Sequence, residues 1–213
     1  MAQILFPAQK KYLESLRNDH DKLRKEMEEF AVENNVPILD WHASDFIEKL
    51  IKIYNPERVL EIGTAIGYTT IRIAECLDKK AVIHTIEKSK DNIKLAQEYF
   101  HKSGLEKKIK LIEGDALSIM PQMVKKYDFI FLDADKEDYK RLFDYSMLLL
   151  KKGGVIVIDN LLWHGFTASS KVPPKYTKST KHIRDFNKIF ILQKNLDSMI
   201  IPIGDGIGLG VKK

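Results

Sequence analysis

The chain is poor in cysteine, in long apolar runs and in any dominant charge. A single cysteine, Cys76, stands among 213 residues. This excludes an internal disulfide framework and fits a reducing compartment, so a cytoplasmic location is expected. No apolar stretch approaches the roughly 18 residues a membrane span needs, and no membrane partner is expected. The segment from Met1 to Lys11 is no secretory leader by pattern: its apolar run is short and Pro7 breaks it. Internal repeats and low-complexity tracts are lacking, which excludes solenoids and repeat arrays. Neither sign of charge dominates: 35 Lys and Arg stand against 30 Asp and Glu, a net charge of +5. That balance leans towards anionic partners without requiring a nucleic acid.

What is present reads as a globular protein. The hydrophobic fraction of 44% and the charged fraction of 31% are ordinary, and 213 residues suffice for one domain with a short appendage. The first 55 residues form a helical appendage by periodicity, with helices expected over Lys10–Asn18, Asp21–Asn34 and Trp41–Tyr54. From residue 56 to 213 the texture changes to strands separated by helices. Strands are expected at Arg58–Ile62, Ala81–Glu87, Ile109–Glu113, Tyr127–Leu132 and Gly154–Ile158. The intervening helices are expected at Tyr68–Cys76, Lys90–Ser103, Ala116–Lys125 and Glu137–Leu149. Such βαβ units imply a parallel sheet covered on both faces. Leu161–Thr180 is polar, basic and contains Pro173-Pro174, and reads as a loop before a helix at Lys181–Gln193. Asp197–Ile203 and Gly206–Lys212 read as a final hairpin turning at Gly204-Asp205-Gly206.

Ligands of open α/β sheets bind beyond the carboxyl ends of the strands, so the residues that follow each strand carry the functional argument. The first strand runs into Glu61-Ile62-Gly63-Thr64-Ala65-Ile66-Gly67-Tyr68, a glycine turn with an acid inside it. That acid would repel a pyrophosphate, which argues against a nicotinamide dinucleotide. The second strand ends at Glu87, placed to take ribose hydroxyls. The third ends in Glu113-Gly114-Asp115-Ala116, the fourth in Asp133-Ala134-Asp135-Lys136 and the fifth in Asp159-Asn160. An acidic rim suits a cofactor with ribose hydroxyls, a positive sulfonium and no phosphate. It also suits a hard cation: Asp133, Asp159 and Asn160 offer oxygen ligands, which favours Mg²⁺, Ca²⁺ or Mn²⁺ over Zn²⁺. Asp135 and Asp138 are nearby substitutes for that ligand set, with Asp135 expected on the other side of the strand.

With Pro202-Ile203-Gly204-Asp205-Gly206, these motifs resemble the metal-dependent O-methyltransferases of the catechol and caffeoyl-CoA type, from about Val36 to the C-terminus. Val36-Pro37-Ile38 and Gly63-Thr64-Ala65-Ile66-Gly67-Tyr68 are similar, within that family, to the bacterial tRNA 5-hydroxyuridine methyltransferases. The resemblance implies a Rossmann-like class I fold, with a mostly parallel seven-stranded sheet and an antiparallel last strand. It also implies a homodimer and S-adenosylmethionine as methyl donor. By matching positions, Glu61, Gly63, Tyr68, Glu87, Asp115 and Asp133 belong to the cofactor site, with Asp115 or the backbone of Ala116 at the adenine. Ile38 would cover the methionine end. Asp133, Asp159 and Asn160 match the metal ligands, and Lys136 matches the catalytic lysine.

The mechanism this implies is in-line transfer of a methyl group to an ionised hydroxyl that neighbours a second oxygen. Lys136 would accept or polarise the departing proton, which a lowered pKa would favour. Catechols carry such an oxygen pair, and so does 5-hydroxyuridine. Lys171, Lys175, Lys178, Lys181 and Arg184, interleaved with Trp163, His164, Phe166 and Tyr176, offer cations for phosphates and rings for stacking. The expected substrate is therefore 5-hydroxyuridine in the anticodon loop of tRNA, converted to 5-methoxyuridine, with a catechol-like or caffeoyl-CoA-like phenol as the alternative. A non-catalytic RNA-binding or S-adenosylmethionine-sensing module is a third reading, against which Asp133, Lys136, Asp159 and Asn160 argue. Trp41, His42 and His84 are assigned to packing.

Overall fold

A computed structural model describes residues 6–17 and 21–213. Helix α1 (Pro7–Ser15) begins with proline at its first turn, where no N–H is needed. The expected end of that helix at Asn18 lies outside the described residues. Helix α2 (Lys22–Glu33) is capped by the Asp21 carboxylate, which accepts from the Arg24 amide at 2.9 Å. Helix α3 (Trp41–Tyr54) starts at Asp40, whose side chain accepts from the His42 amide, and stops at Asn55 in the left-handed region. It buries Ala43, Ile47 and Ile51 against Val59, Phe129 and Val157 of the sheet.

The sheet alternates with helices as the hydrophobic pattern requires. In chain order these are β1 (Arg58–Ile62), α4 (Tyr68–Cys76), β2 (Val82–Glu87), α5 (Lys90–Ser103) and β3 (Ile109–Glu113). Then follow α6 (Ala116–Ile119), β4 (Tyr127–Leu132), α7 (Tyr139–Leu149), β5 (Leu150–Ile158), α8 (Thr177–Ile191), β6 (Leu196–Ile201) and β7 (Ile207–Lys212). The strand order is β3-β2-β1-β4-β5-β7-β6, and β7 alone runs against its neighbours. The seven-stranded sheet with its antiparallel last strand is thus as expected. The two faces carry separate apolar clusters, one centred on Tyr139, Phe143, Phe186 and Phe190, the other on α3 and α4.

Three expected elements have a bound displaced by four residues or more. The helix expected over Ala116–Lys125 stops at Ile119, because Pro121 has no N–H to continue the ladder, and a 3₁₀ turn covers Met120–Gln122. Helix α8 starts at Thr177 rather than Lys181, prefaced by a 3₁₀ turn at Pro174–Tyr176. Strand β5 extends back to Leu150, which pairs with Tyr127 across a register shift.

The order reverses direction at β1, where the chain crosses from β3-β2-β1 to β4-β5. That switch point opens a crevice beyond the strand ends. Hydrogen bonds continue the ladder past the strands: the Gly63 amide donates to Ile86 O, Asp133 to Ile62 O and Asp159 to Leu132 O. Gly63, Asp133 and Asp159 therefore stand in adjacent rows along one edge of the sheet.

Candidate active site

A cleft of about 910 Å³ occupies that edge. Its size suits a nucleoside-type ligand together with a second small group. Ile38, Gly63, Glu87, Asp115, Ala116, Asp133, Lys136, Asp159 and Asn160, all expected site residues, line it. Glu61 and Tyr68 do not.

The first wall is the glycine turn. Gly63 has φ 97°, and a Cβ there would sit 1.8 Å from the Asp133 carbonyl oxygen. Only glycine permits this approach of β1 to β4. The Glu87 carboxylate binds the turn from behind: one oxygen accepts from the Ala65 amide at 2.9 Å, the other from Lys88 and Ser89. Asp115 caps α6, accepting from the Leu117 amide at 3.0 Å. Pro37 and Ile38, on the chain between α2 and α3, close the opposite side.

Glu61 lies fully buried behind the turn, accepting from Thr70 and Thr85 while its Oε1 has no partner. Burial pushes its carboxyl up to about 8 against the two threonine hydrogen bonds. Tyr68 faces away, into the packing between α4 and α2. Its hydroxyl donates to Glu28 at 2.5 Å and accepts from Arg72 at 2.8 Å. The structure thus assigns Tyr68 to helix packing: the first turn of α4 points it at Met27 and Ala31 rather than at the cleft.

The second wall is polar. Asp159 is buried, and its Oδ1 has no hydrogen-bond partner. Burial, reinforced by the Asp133 charge, pushes its carboxyl up to about 8. Lys136 donates to Asp133 Oδ1 at 2.9 Å, to the Ala134 carbonyl at 3.0 Å and to the Tyr139 hydroxyl at 2.7 Å. An ammonium has three hydrogens, so all are engaged. Tyr139 in turn donates to the Asp159 carbonyl at 3.0 Å. A lowered lysine pKa would favour proton acceptance, but here it is raised. Burial alone would lower it, but Tyr139, Asp133 and Asp159 outweigh burial in the chain by itself. Asp135 turns to the rim and pairs with Lys88 at 2.5 Å, away from Asp159.

Among the described residues no three His, Cys, Asp or Glu side chains gather into a metal cluster. The donor set at this edge is two carboxylates and one amide, with one buried carboxylate oxygen unpartnered. That chemistry fits a hard divalent cation, which takes oxygen ligands and keeps waters in its shell.

The third wall is the segment after β5. Trp163, His164 and Ser179 line the cleft, and the Trp163 ring lies 5.6 Å from Lys136 Nζ. Phe166 and Tyr176 pack on each other behind it, with centroids 5.1 Å apart. Of the cations grouped here from sequence, Arg184 is not free: its guanidinium donates to the Phe166, Thr167 and Ser169 carbonyls. It pins the segment through Nε and Nη2, which leaves only Nη1 for any further contact. Lys171, Lys175, Lys178 and Lys181 are exposed, with Lys178 bonded to Glu137. Tyr139 and Asp205 are site residues that sequence reasoning did not single out. Asp205 was visible only as part of a glycine turn, and Tyr139 only as the first residue of an apolar helix.

The comparisons agree with this architecture. The O-methyltransferase family model matches residues 14–213. A caffeoyl-CoA O-methyltransferase of Medicago sativa is 33% identical over 205 residues, spanning 89% of this chain and 81% of that one. A Staphylococcus aureus protein provisionally named a caffeoyl-CoA O-methyltransferase superposes with TM-score 0.90 at 32% identity, covering 97% of this chain and 100% of the other. A Bacillus cereus O-methyltransferase solved with S-adenosylhomocysteine superposes with TM-score 0.84 at 25% identity over 97% of each chain. The chain belongs to the O-methyltransferase family, enzymes that move a methyl group from S-adenosylmethionine to oxygen.

Proposed function

We propose that this enzyme methylates a ring hydroxyl flanked by a second oxygen, with a divalent cation held by Asp133, Asp159 and Asn160. The observation that carries this is the unpartnered, buried Oδ1 of Asp159 beside Asp133 at the cleft floor. Two acids at such a site repel each other unless a cation or a proton intervenes. Mg²⁺ is the expected ion, with Ca²⁺ or Mn²⁺ as substitutes. When bound, it would lower the pKa of the substrate hydroxyl.

The chain's own groups do the remaining work. Gly63, Glu87, Asp115 and Ala116 form the wall for the nucleoside end of S-adenosylmethionine, and Ile38 covers its methionine end. Glu61 shapes the turn from behind. Lys136 lines the cleft with its three N–H groups held by Asp133, Ala134 and Tyr139, and its positive charge would stabilise the negative charge that develops on the reacting oxygen. The Trp163 and His164 rings line the cleft and would orient a substrate ring there. S-adenosylmethionine, held by Gly63, Glu87, Asp115 and Ala116, would supply the activated methyl group: its C–S bond would break as the O–C bond forms, and the hydroxyl proton would leave to solvent.

The substrate we infer is 5-hydroxyuridine in tRNA, giving 5-methoxyuridine. Exposed Lys171, Lys175 and Lys181 beside the aromatic wall support it, since cations and stacking rings together suit a single-stranded loop. A second reading, a caffeoyl-CoA-like phenol, is favoured by what the relatives' names say they act on. Labelled methyl transfer to tRNA lacking 5-methoxyuridine, and separately to caffeoyl-CoA, tests the two. A homodimer located in the cytoplasm belongs to the same reading, and sedimentation checks the assembly.

A further inference from the structure

We propose that Asp205 is a positioning residue: it fixes the side-chain amide of Asn160 with its oxygen towards the cleft, and so sets the affinity of the cation site. The inference rests on the proposed reading of Asp133, Asp159 and Asn160 as ligands.

The segment after β5 is held in a conformation its residues do not favour. Asn160, Trp163 and His164 have φ of 61°, 46° and 55°, all in the left-handed region. Such geometry persists only where surrounding contacts over-determine it. Those contacts come from the turn between β6 and β7. The Leu161 amide donates to the Gly206 carbonyl and the Leu162 amide to the Asp205 carbonyl, each at 2.8 Å. Gly206 has φ 90°, and a Cβ there would lie 2.6 Å from the Leu162 nitrogen, so the two strands of chain meet only because the turn has glycine.

Asp205 completes the clamp with its side chain. Its Oδ1 accepts from the His164 amide at 2.5 Å, and its Oδ2 accepts from Asn160 Nδ2 at 3.3 Å. One carboxylate thus spans from the proposed ligand to the aromatic wall. The second bond decides which end of the Asn160 amide is available. With Nδ2 committed to a carboxylate, Oδ1 is turned away from Asp205. An amide nitrogen cannot ligate a hard cation, whereas an amide oxygen can. A flipped Asn160 would therefore remove one ligand without changing the sequence at the site. Groups that orient ligands in this way commonly matter almost as much as the ligands.

The test uses the full chain with Mn²⁺ as probe, titrated by electron paramagnetic resonance, and S-adenosylmethionine by calorimetry. Asp205→Asn keeps the backbone turn and the side-chain size but can present a donor to Asn160. It should weaken Mn²⁺ binding by roughly 10–100-fold, with cofactor affinity and Tm near wild type. The exchange Asn160→Asp with Asp205→Asn restores one donor facing one acceptor and should recover most of the lost affinity. Equal Mn²⁺ affinity of wild type and Asp205→Asn, while Asn160→Ala binds weakly, would overturn the inference and leave the ligand reading standing. An exchange variant no better than Asp205→Asn would overturn it too, as would a matching loss of cofactor affinity. If Asn160→Ala binds Mn²⁺ as wild type does, the ligand reading itself fails and takes the inference with it.

Discussion

Asp159 is a buried carboxylate with an unpartnered oxygen, an arrangement that costs stability and persists where function needs it. Asp159→Ala should lower kcat by at least ~100-fold while S-adenosylmethionine affinity, read by calorimetry, stays within a few-fold. The same variant should not lose thermal stability, since it removes a desolvated acid. Lys136→Met should lower kcat by roughly 10²–10³-fold with cofactor affinity preserved, because the variant removes the ammonium charge held beside Asp133 and Tyr139. Gly63→Ala should abolish cofactor binding in calorimetry, because a Cβ would strike the Asp133 carbonyl. The acids at the strand ends were legible in the sequence because parallel topology sends every strand's carboxyl end to one edge. The directions of Glu61 and Tyr68 were not. Which side a residue faces at the start of a helix depends on what packs there, and here α2 presents Met27 and Glu28 to Tyr68. Asp205 was hidden for a similar reason: its partners, Asn160 and His164, lie about forty residues away in sequence.

Among the elements, the strands were read closely and the helix ends less so. Period-2 and buried apolar runs mark strands from local sequence alone, whereas Pro121 cut α6 short and Pro174 opened a turn that let α8 begin early. The polar segment between β5 and α8 was expected as a loop with free cations, and its chain is folded into 3₁₀ turns with the Arg184 guanidinium inside. Composition cannot show that an arginine binds carbonyls rather than phosphate. Its role here predicts that Arg184→Ala loosens the wall, seen as faster amide exchange over residues 166–169. The exposed lysines carry the opposite expectation. Lys178→Glu with Lys181→Glu should weaken a tRNA substrate and flatten the salt dependence of its binding, because phosphate contacts release counterions. A small phenol should be indifferent to both changes.

On the scale of the whole molecule, charge is divided by the sheet: acids gather at the carboxyl edge of the strands, while the His84 side chain at the sheet's interior feels cations. His84 donates to or accepts from the Tyr127 hydroxyl at 2.7 Å. Burial lowers it to about 4, helped by Lys125, Lys110 and Arg58. Its folded value lies below the ordinary 6.5, so the folded state resists protonation. The stability it contributes is present above pH 6.5 and is lost as pH falls from there towards 4. Tm measured across that window should fall, and His84→Gln should flatten the fall. The fold as a whole was legible because alternation of strand and helix admits few topologies. The substrate was not, since one oxygen pair serves a nucleobase and a phenol alike. No helix among the described residues is long and apolar enough to cross a membrane. The central claim is cation-assisted methyl transfer to a hydroxyl beside a second oxygen. The most direct test supplies labelled S-adenosylmethionine and Mg²⁺ to tRNA carrying 5-hydroxyuridine, and in parallel to caffeoyl-CoA, with and without chelator. Label in one of these acceptors that disappears with chelator is the predicted result. Transfer that proceeds undiminished in chelator would contradict it.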